Sequence, residues 1–301
     1  MLKQISLLIL CAVAIVLFAT PVHACTSAVV SGKVTLDGRP LLWKNRDTDF
    51  MRNHVDYVKG ERYDFIAVVN SANAYLKEAW MGTNSSGFAL MNTQSYNLVD
   101  VKGDEERGAA NGRVIYRALE VCATVEDFCH FLDTISKPSD IEANFGVIDA
   151  QGGAAMFEVD YYKYVMYDAN NPKDAPYGYI ARTNFSFAGK VNEGAGYVRY
   201  MEADQVLMKA SATGSITPQF IFNDLSRSFR NRMLDIDLRS GAYNRPQASG
   251  WFVDQDFIPR SSTSCSVVVQ GVKPGEKAEL TTMWTLLGYP PTGIAVPLWV
   301  K

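Results

Sequence analysis

Two periodicities take turns along the chain. Short runs with continuous or alternating apolar positions predict strands at 26–31, 40–43, 144–149, 154–159, 162–167, 264–269, 280–287 and 294–300. A helical period sets in between Asn111 and Ser136, where Val114, Ala118, Leu119 and Cys122 share one face. Thr124-Val125-Glu126-Asp127 reads as a capping box opening a second helix with Val125, Phe128, Leu132 and Ile135 as its apolar stripe; Pro138 follows its end. Residues 201–209 and 217–226 also read as helical. Runs of strands and runs of helices, without strict alternation, predict an α+β protein with largely antiparallel sheets. No linker, repeat or composition shift divides residues 25–301, which are expected to form a single domain.

The first residues follow neither period. Lys3 precedes a nearly unbroken apolar run over 5–18, shorter than the roughly 20 residues a membrane-spanning helix needs. Pro21 breaks the run, and Val22 and Ala24 occupy the −3 and −1 positions of a signal-peptidase site. Residues 1–24 are therefore expected to be a signal peptide. Removing them from 301 residues leaves 277, exported to a periplasm or extracellular space.

Composition narrows the function classes. With 48% hydrophobic and 20% charged residues and a net charge of −3, the chain is too apolar for disorder and not basic enough for nucleic-acid binding. Three histidines and five cysteines become two and four once Cys11 and His23 are removed with the leader. There is no Cys-x-x-Cys, His-Glu-x-x-His or Gly-x-x-x-x-Gly-Lys motif, so neither metal nor nucleotide cofactor is expected.

Cleavage after Ala24 makes Cys25 the first residue. One reading is a lipidated cysteine anchoring a non-enzymatic binding protein. Against it, His23 fits a lipoprotein signal poorly, and Cys25 runs straight into a strand where a lipid anchor normally has a flexible tether. The other reading is chemical. A thiol with pKa about 8.5 beside its own α-amine, at about 7.7 to 8.0, holds nucleophile and base in one residue. No histidine is required.

Cys25-Thr26-Ser27, a strand, an Asp37-Gly38 turn, a second strand and then Lys44-Asn45-Arg46-Asp47 make a distinctive opening. It resembles the N-terminal nucleophile hydrolases of the choloylglycine hydrolase, penicillin V acylase and acyl-CoA:6-aminopenicillanate acyltransferase group. The likeness extends to the hairpin 81–92 and to Tyr179-Ile180-Ala181-Arg182-Thr183-Asn184. It implies a four-layer αββα sandwich with two mainly antiparallel sheets. It also implies Cys25 as nucleophile, Asp47 orienting its amine, and Asn92 and Asn184 as oxyanion donors. Lys44 stands where the family has arginine, an ammonium lacking the planar fork of a guanidinium. Arg46, on the same strand face, is a candidate to replace it. Lys44 and Arg199 are the expected substrate contacts. The implied reaction is hydrolysis of a linear, non-peptide or N-acyl, C–N amide bond in a small molecule, or acyl transfer on the same scaffold.

The remaining residues have structural expectations. The spacing of Cys122 and Cys129 permits a disulfide, Cys265 is expected in the core, and His130 is expected to be packed on its helix. A cysteine–histidine hydrolase built from Cys129 or Cys265 with His54 or His130 is the lesser enzymatic alternative. Trp80, Phe88, Tyr96 and Phe185 are candidates for an apolar acyl pocket or for the core.

Overall fold

Strand alternation decides the layers. In the computed structural model, which describes residues 24–100, 108–241, 254 and 256–300, β1 (Thr26–Val30) places Val29 on one face and Ala28 and Val30 on the other. β2 (Leu41–Asp47) does the same with Leu42 against Leu41 and Trp43. The next four strands are β3 (Asn53–Val58), β4 (Phe65–Asn70), β5 (Met81–Asn84) and β6 (Ala89–Gln94). Then come helices α1 (Asn111–Val121) and α2 (Val125–Thr134), followed by β7 (Ala143–Ile148), β8 (Ala154–Val159), β9 (Tyr164–Asp168) and β10 (Tyr179–Arg182). Helix α3 (Tyr197–Ser211), a small β11–β12 ribbon (Arg230–Asn231, Ile236–Asp237), β13 (Thr263–Gln270), β14 (Thr282–Leu287) and β15 (Val296–Leu298) complete the order.

One antiparallel sheet runs β10-β1-β2-β13-β14-β15 and the other β3-β4-β5-β6-β7-β8-β9. Three apolar layers separate the elements. Val29, Leu42, Ile66, Met91, Met156 and Val267 pack between the sheets. Phe65, Leu90, Phe145 and Phe157 pack the second sheet against α1 and α2, and Ala28, Trp43 and Val268 pack the first against α3. The fold is the αββα sandwich. Gly146 lies against the interlayer, where a Cβ would run into Met91, Leu42 and Val29.

Local chemistry explains the helix starts. The Thr124 hydroxyl accepts from the Asp127 N–H at 3.0 Å, while Asp127 accepts from the Thr124 N–H, the reciprocal capping box. The segment after Thr217 does not continue as an ordinary helix. After one turn (Pro218–Phe220) it widens into a π turn (Ile221–Leu225). The Ser226 N–H reaches back to the Ile221 carbonyl at 2.7 Å, and the Ser226 side chain turns inward onto Trp43, Asn45 and Ser266. β3 and β4 are strands the sequence pattern did not announce. Cys122 and Cys129 are free thiols, the first buried in the α1–α2 core. His130, expected to be packed, is exposed: its position on α2 lies off the stripe made by Phe128 and Leu132. Cys265 is buried between the sheets.

Candidate active site

The site forms where the first sheet's strand ends meet polar groups of the second. Cys25 immediately precedes β1 and is 7% exposed, and its Sγ lies 3.8 Å from the main-chain oxygen of Asp47 at the end of β2. The Asp47 carboxylate is fully engaged. Its Oδ2 accepts from Arg260 Nη2 at 2.8 Å and Nε at 3.1 Å, and its Oδ1 from the Thr263 hydroxyl at 2.5 Å. A register irregularity in β13 between Thr263 and Cys265 keeps Thr263 opposite Asp47 while Cys265 pairs with Arg46. Burial pushes the Asp47 carboxyl above its usual range, with the Arg260 charge as the main opposing influence. Arg260 Nη2 also donates to the Ala24 carbonyl at 2.9 Å, on the peptide group that precedes the Cys25 nitrogen.

Two cations rise from the inward face of β2. Lys44 Nζ donates to Asn92 Oδ1 at 2.9 Å and to the Trp80 carbonyl at 3.1 Å. Arg46 donates to Asn53 and, at 2.8 Å, to Asn70 Oδ1; these asparagines are cross-strand partners at the ends of β3 and β4. Its guanidinium lies 4.7 Å from the Trp80 ring centroid. Lys44 and Arg46 are both buried, and among the described residues neither has a carboxylate at ion-pair distance. Burial lowers the Lys44 ammonium below its ordinary value, and the Arg46 charge adds to the effect.

Arg199 sits on the opposite side of Cys25. From α3 its Nη1 donates to the Cys25 carbonyl and the Thr26 hydroxyl, both at 2.7 Å, and its Nη2 to Asn184 Oδ1 at 2.8 Å. Gly196, in the left-handed region at φ 87°, starts α3, and a Cβ there would collide with this guanidinium. Burial and the neighbouring Arg260 charge lower Arg199 to about 10, so it stays cationic at neutral pH. Asn184 is fully buried and its Nδ2 donates to the Gln94 carbonyl at 2.8 Å.

A cavity of about 400 Å³ opens over these groups. Cys25, Lys44, Arg46, Asp47, Asn92 and Trp80 line it, with Phe50 and Leu76 among its apolar walls. Asn184 and Arg199 stand behind this wall, not on it. Of the four aromatic candidates, Trp80 is on the cavity. Tyr96 is mostly buried, and burial raises its phenol, with the Cys25 thiol the next contributor. Phe88 belongs to the helix-side core, and Phe185 stacks on Tyr197 with ring centroids 4.1 Å apart.

The profile of the acyl-coenzyme A:6-aminopenicillanic acid acyl-transferase family matches residues 35–211, more than half of the chain. The chain belongs to that family. The match begins after Cys25 and takes in Lys44, Asp47, Asn92, Asn184 and Arg199. Membership places the protein among enzymes that hydrolyse non-peptide amides or transfer acyl groups. Among solved structures, a conjugated bile acid hydrolase variant from Clostridium perfringens is 13% identical, with TM-score 0.53 over 91% of this chain and 92% of that one. A penicillin V acylase from Agrobacterium tumefaciens is 15% identical, with TM-score 0.45 over 87% and 82%. An N-acylethanolamine-hydrolyzing acid amidase orthologue from Caenorhabditis elegans is 15% identical, with TM-score 0.45 over 67% and 89%. No curated relative matches the chain.

Sequence reasoning missed Arg260 and Thr263. Neither belongs to a local motif. A buried Asp47 does require a counter-charge, so the sequence announces that a cation is needed without saying which. Asn84, in the hairpin that carries the family likeness, is structural. Its Oδ1 accepts from the Ser86 and Phe88 N–H groups, and its Nδ2 donates to the Leu119 and Cys122 carbonyls at the end of α1. The expected signal peptide lies outside the described residues apart from Ala24. No helix among the described residues is long and apolar enough to cross a membrane.

Proposed function

We propose that the mature protein begins at Cys25 and is an exported amidohydrolase acting on a linear N-acyl C–N bond of a small molecule. The observation that carries this reading is the convergence of Cys25, Asp47 and Asn92 on one cavity, together with Arg260 bound both to Asp47 and to the peptide before Cys25. Cleavage after Ala24 replaces that peptide with a free amine beside the Asp47–Arg260 pair.

The amine accepts the Cys25 thiol proton, directly or through one water, and the thiolate attacks the amide carbonyl. The carbon–sulfur bond forms as the carbonyl π pair moves onto oxygen. Asn92, on the cavity wall, donates to that oxyanion. The protonated amine then gives its proton to the leaving nitrogen, the C–N bond breaks, and a thioester remains. Water resolves it to an acid; an acceptor amine resolves it by transfer. The family's description favours keeping the transfer branch beside hydrolysis. Arg46, buried with no carboxylate at ion-pair distance among the described residues, favours a substrate carrying an anionic group, and Phe50 and Leu76 favour an apolar acyl portion.

Mass spectrometry of the purified N-terminus, combined with amine release from glycine-conjugated bile salts, phenoxymethylpenicillin and N-acyl amino acids, tests the reading. A free Cys25 and turnover abolished by Cys25→Ala are expected. A diacylglyceryl adduct on Cys25, or undiminished turnover in Cys25→Ala, contradicts it.

A further inference from the structure

We propose that Lys44 is a positioning residue that works through Asn92, holding the amide so that its N–H2 end is the one presented to the oxyanion. The inference rests on the reading of Asn92 as the oxyanion donor and goes beyond it, because the expected role of this position was substrate contact. An asparagine amide has two nearly isosteric ends, and only the nitrogen end donates. An ammonium can only donate. Lys44 Nζ at 2.9 Å therefore fixes the near end of Asn92 as oxygen and turns the nitrogen away from Lys44.

The Lys44 ammonium is itself fixed. Its second donor goes to the Trp80 carbonyl at 3.1 Å, and the side chain is 2% exposed. The same device occurs on the other side of Cys25. Arg199, also donor only, holds Asn184 Oδ1 at 2.8 Å, and Asn184 Nδ2 is directed onto the Gln94 carbonyl. Two amides flanking the nucleophile are thus each oriented by a buried cation. Arg46, one side chain further along the same strand face, is left to meet the substrate's anionic group.

The test is a double-mutant cycle on the mature enzyme with p-nitrophenyl butyrate. Acylation forms the Cys25 carbon–sulfur bond, breaks the ester C–O bond and releases p-nitrophenolate through the same tetrahedral oxyanion. Asn92→Ala is expected to slow acylation by about 100-fold. Lys44→Met is expected to slow it by about 10- to 100-fold, with half-saturation changed less than about threefold. The double variant should be no slower than the slower single variant, because both remove one function. Lys44→Arg, which keeps a donor-only cation, should recover most of the rate; unfolding midpoints of all variants identify any that fail to fold.

A Lys44→Met variant that mainly raises half-saturation, or adds its full effect on top of Asn92→Ala, overturns the positioning role while leaving the Asn92 reading intact. An Asn92→Ala variant acylated at the wild-type rate overturns both. Wild-type enzyme that forms no acyl-Cys25 overturns the proposed function itself.

Discussion

Leu42 and Arg46 lie on one face of one strand, two alternations apart, in opposite environments. Leu42 is packed against Val29, Ile66, Met91 and Val267 in the dry layer between the sheets. Arg46 projects into the same interlayer, where it meets Asn53, Asn70 and Trp80 and borders the cavity. The pleat supplies both positions identically. What changes is the partner sheet: its strands pack their apolar middles against Leu42 and end in polar residues beside Arg46. One half of the interlayer is dry and apolar, and the other keeps charged groups buried beside the cavity.

The comparison breaks most visibly at Arg260. Replacing it with Met leaves Asp47 buried beside the Thr263 hydroxyl but without its guanidinium, at an expected cost of about 3–5 kcal/mol in urea unfolding. The pH dependence follows from the Asp47 shift. Its carboxyl is already raised in the folded state by burial, and losing Arg260 raises it further. The folded variant then holds the proton more tightly than the unfolded chain does. The stability it loses relative to wild type should therefore be smallest near or below about pH 3.9 and grow as pH rises through the folded-state value. A loss that shrinks over that interval would show that Asp47 is not the buried, Arg260-dependent carboxylate described here.

Next in size is Leu42→Ala, expected to cost about 2–5 kcal/mol through lost burial and a cavity between the sheets. Its acylation rate at a temperature where it is folded should stay near wild type. Arg46→Met should invert that outcome. The change removes two hydrogen bonds to asparagines and the Trp80 contact but no ion pair among the described residues, so unfolding should shift by about 1–2 kcal/mol, less than for Leu42→Ala. The loss of a charge-assisted contact should instead weaken half-saturation for an anionic amide by about tenfold or more. Equal behaviour of the Leu42 and Arg46 variants would remove the distinction between the two halves. The smallest effect is expected at His130→Ala. This residue is exposed on α2, so it should change neither unfolding, by more than about 0.5 kcal/mol, nor turnover.

The sequence was most legible where a local rule and burial agree. The Thr124–Asp127 capping box, the apolar face of α1 and the inward run at 26–30 are all short-range signals, and each has its element. β3 was hidden because Asn53, His54, Asp56 and Tyr57 give it a polar composition suited to a sheet edge. The π turn before Ser226 was hidden because it depends on Ser226 satisfying Trp43 and Asn45, distant in sequence. The site divides in the same way. Cys25, Lys44 and Asp47 fall within a recognisable opening, whereas Arg260 reaches Asp47 from the far end of the chain. The separation of Asn92 on the cavity from Asn184 behind it depends on how two sheets diverge, which no local pattern encodes.

The central claim is that Cys25, as the first residue, supplies both nucleophile and base. Intact-mass and peptide mapping of the mature protein after reaction with p-nitrophenyl butyrate, compared with a form retaining Ala24, tests it directly. The account predicts a single butyryl adduct on Cys25 in the mature chain and slow or absent labelling when Ala24 remains and the amine is acylated. Labelling of another residue, or equal labelling of Cys25 with Ala24 still attached, would contradict it.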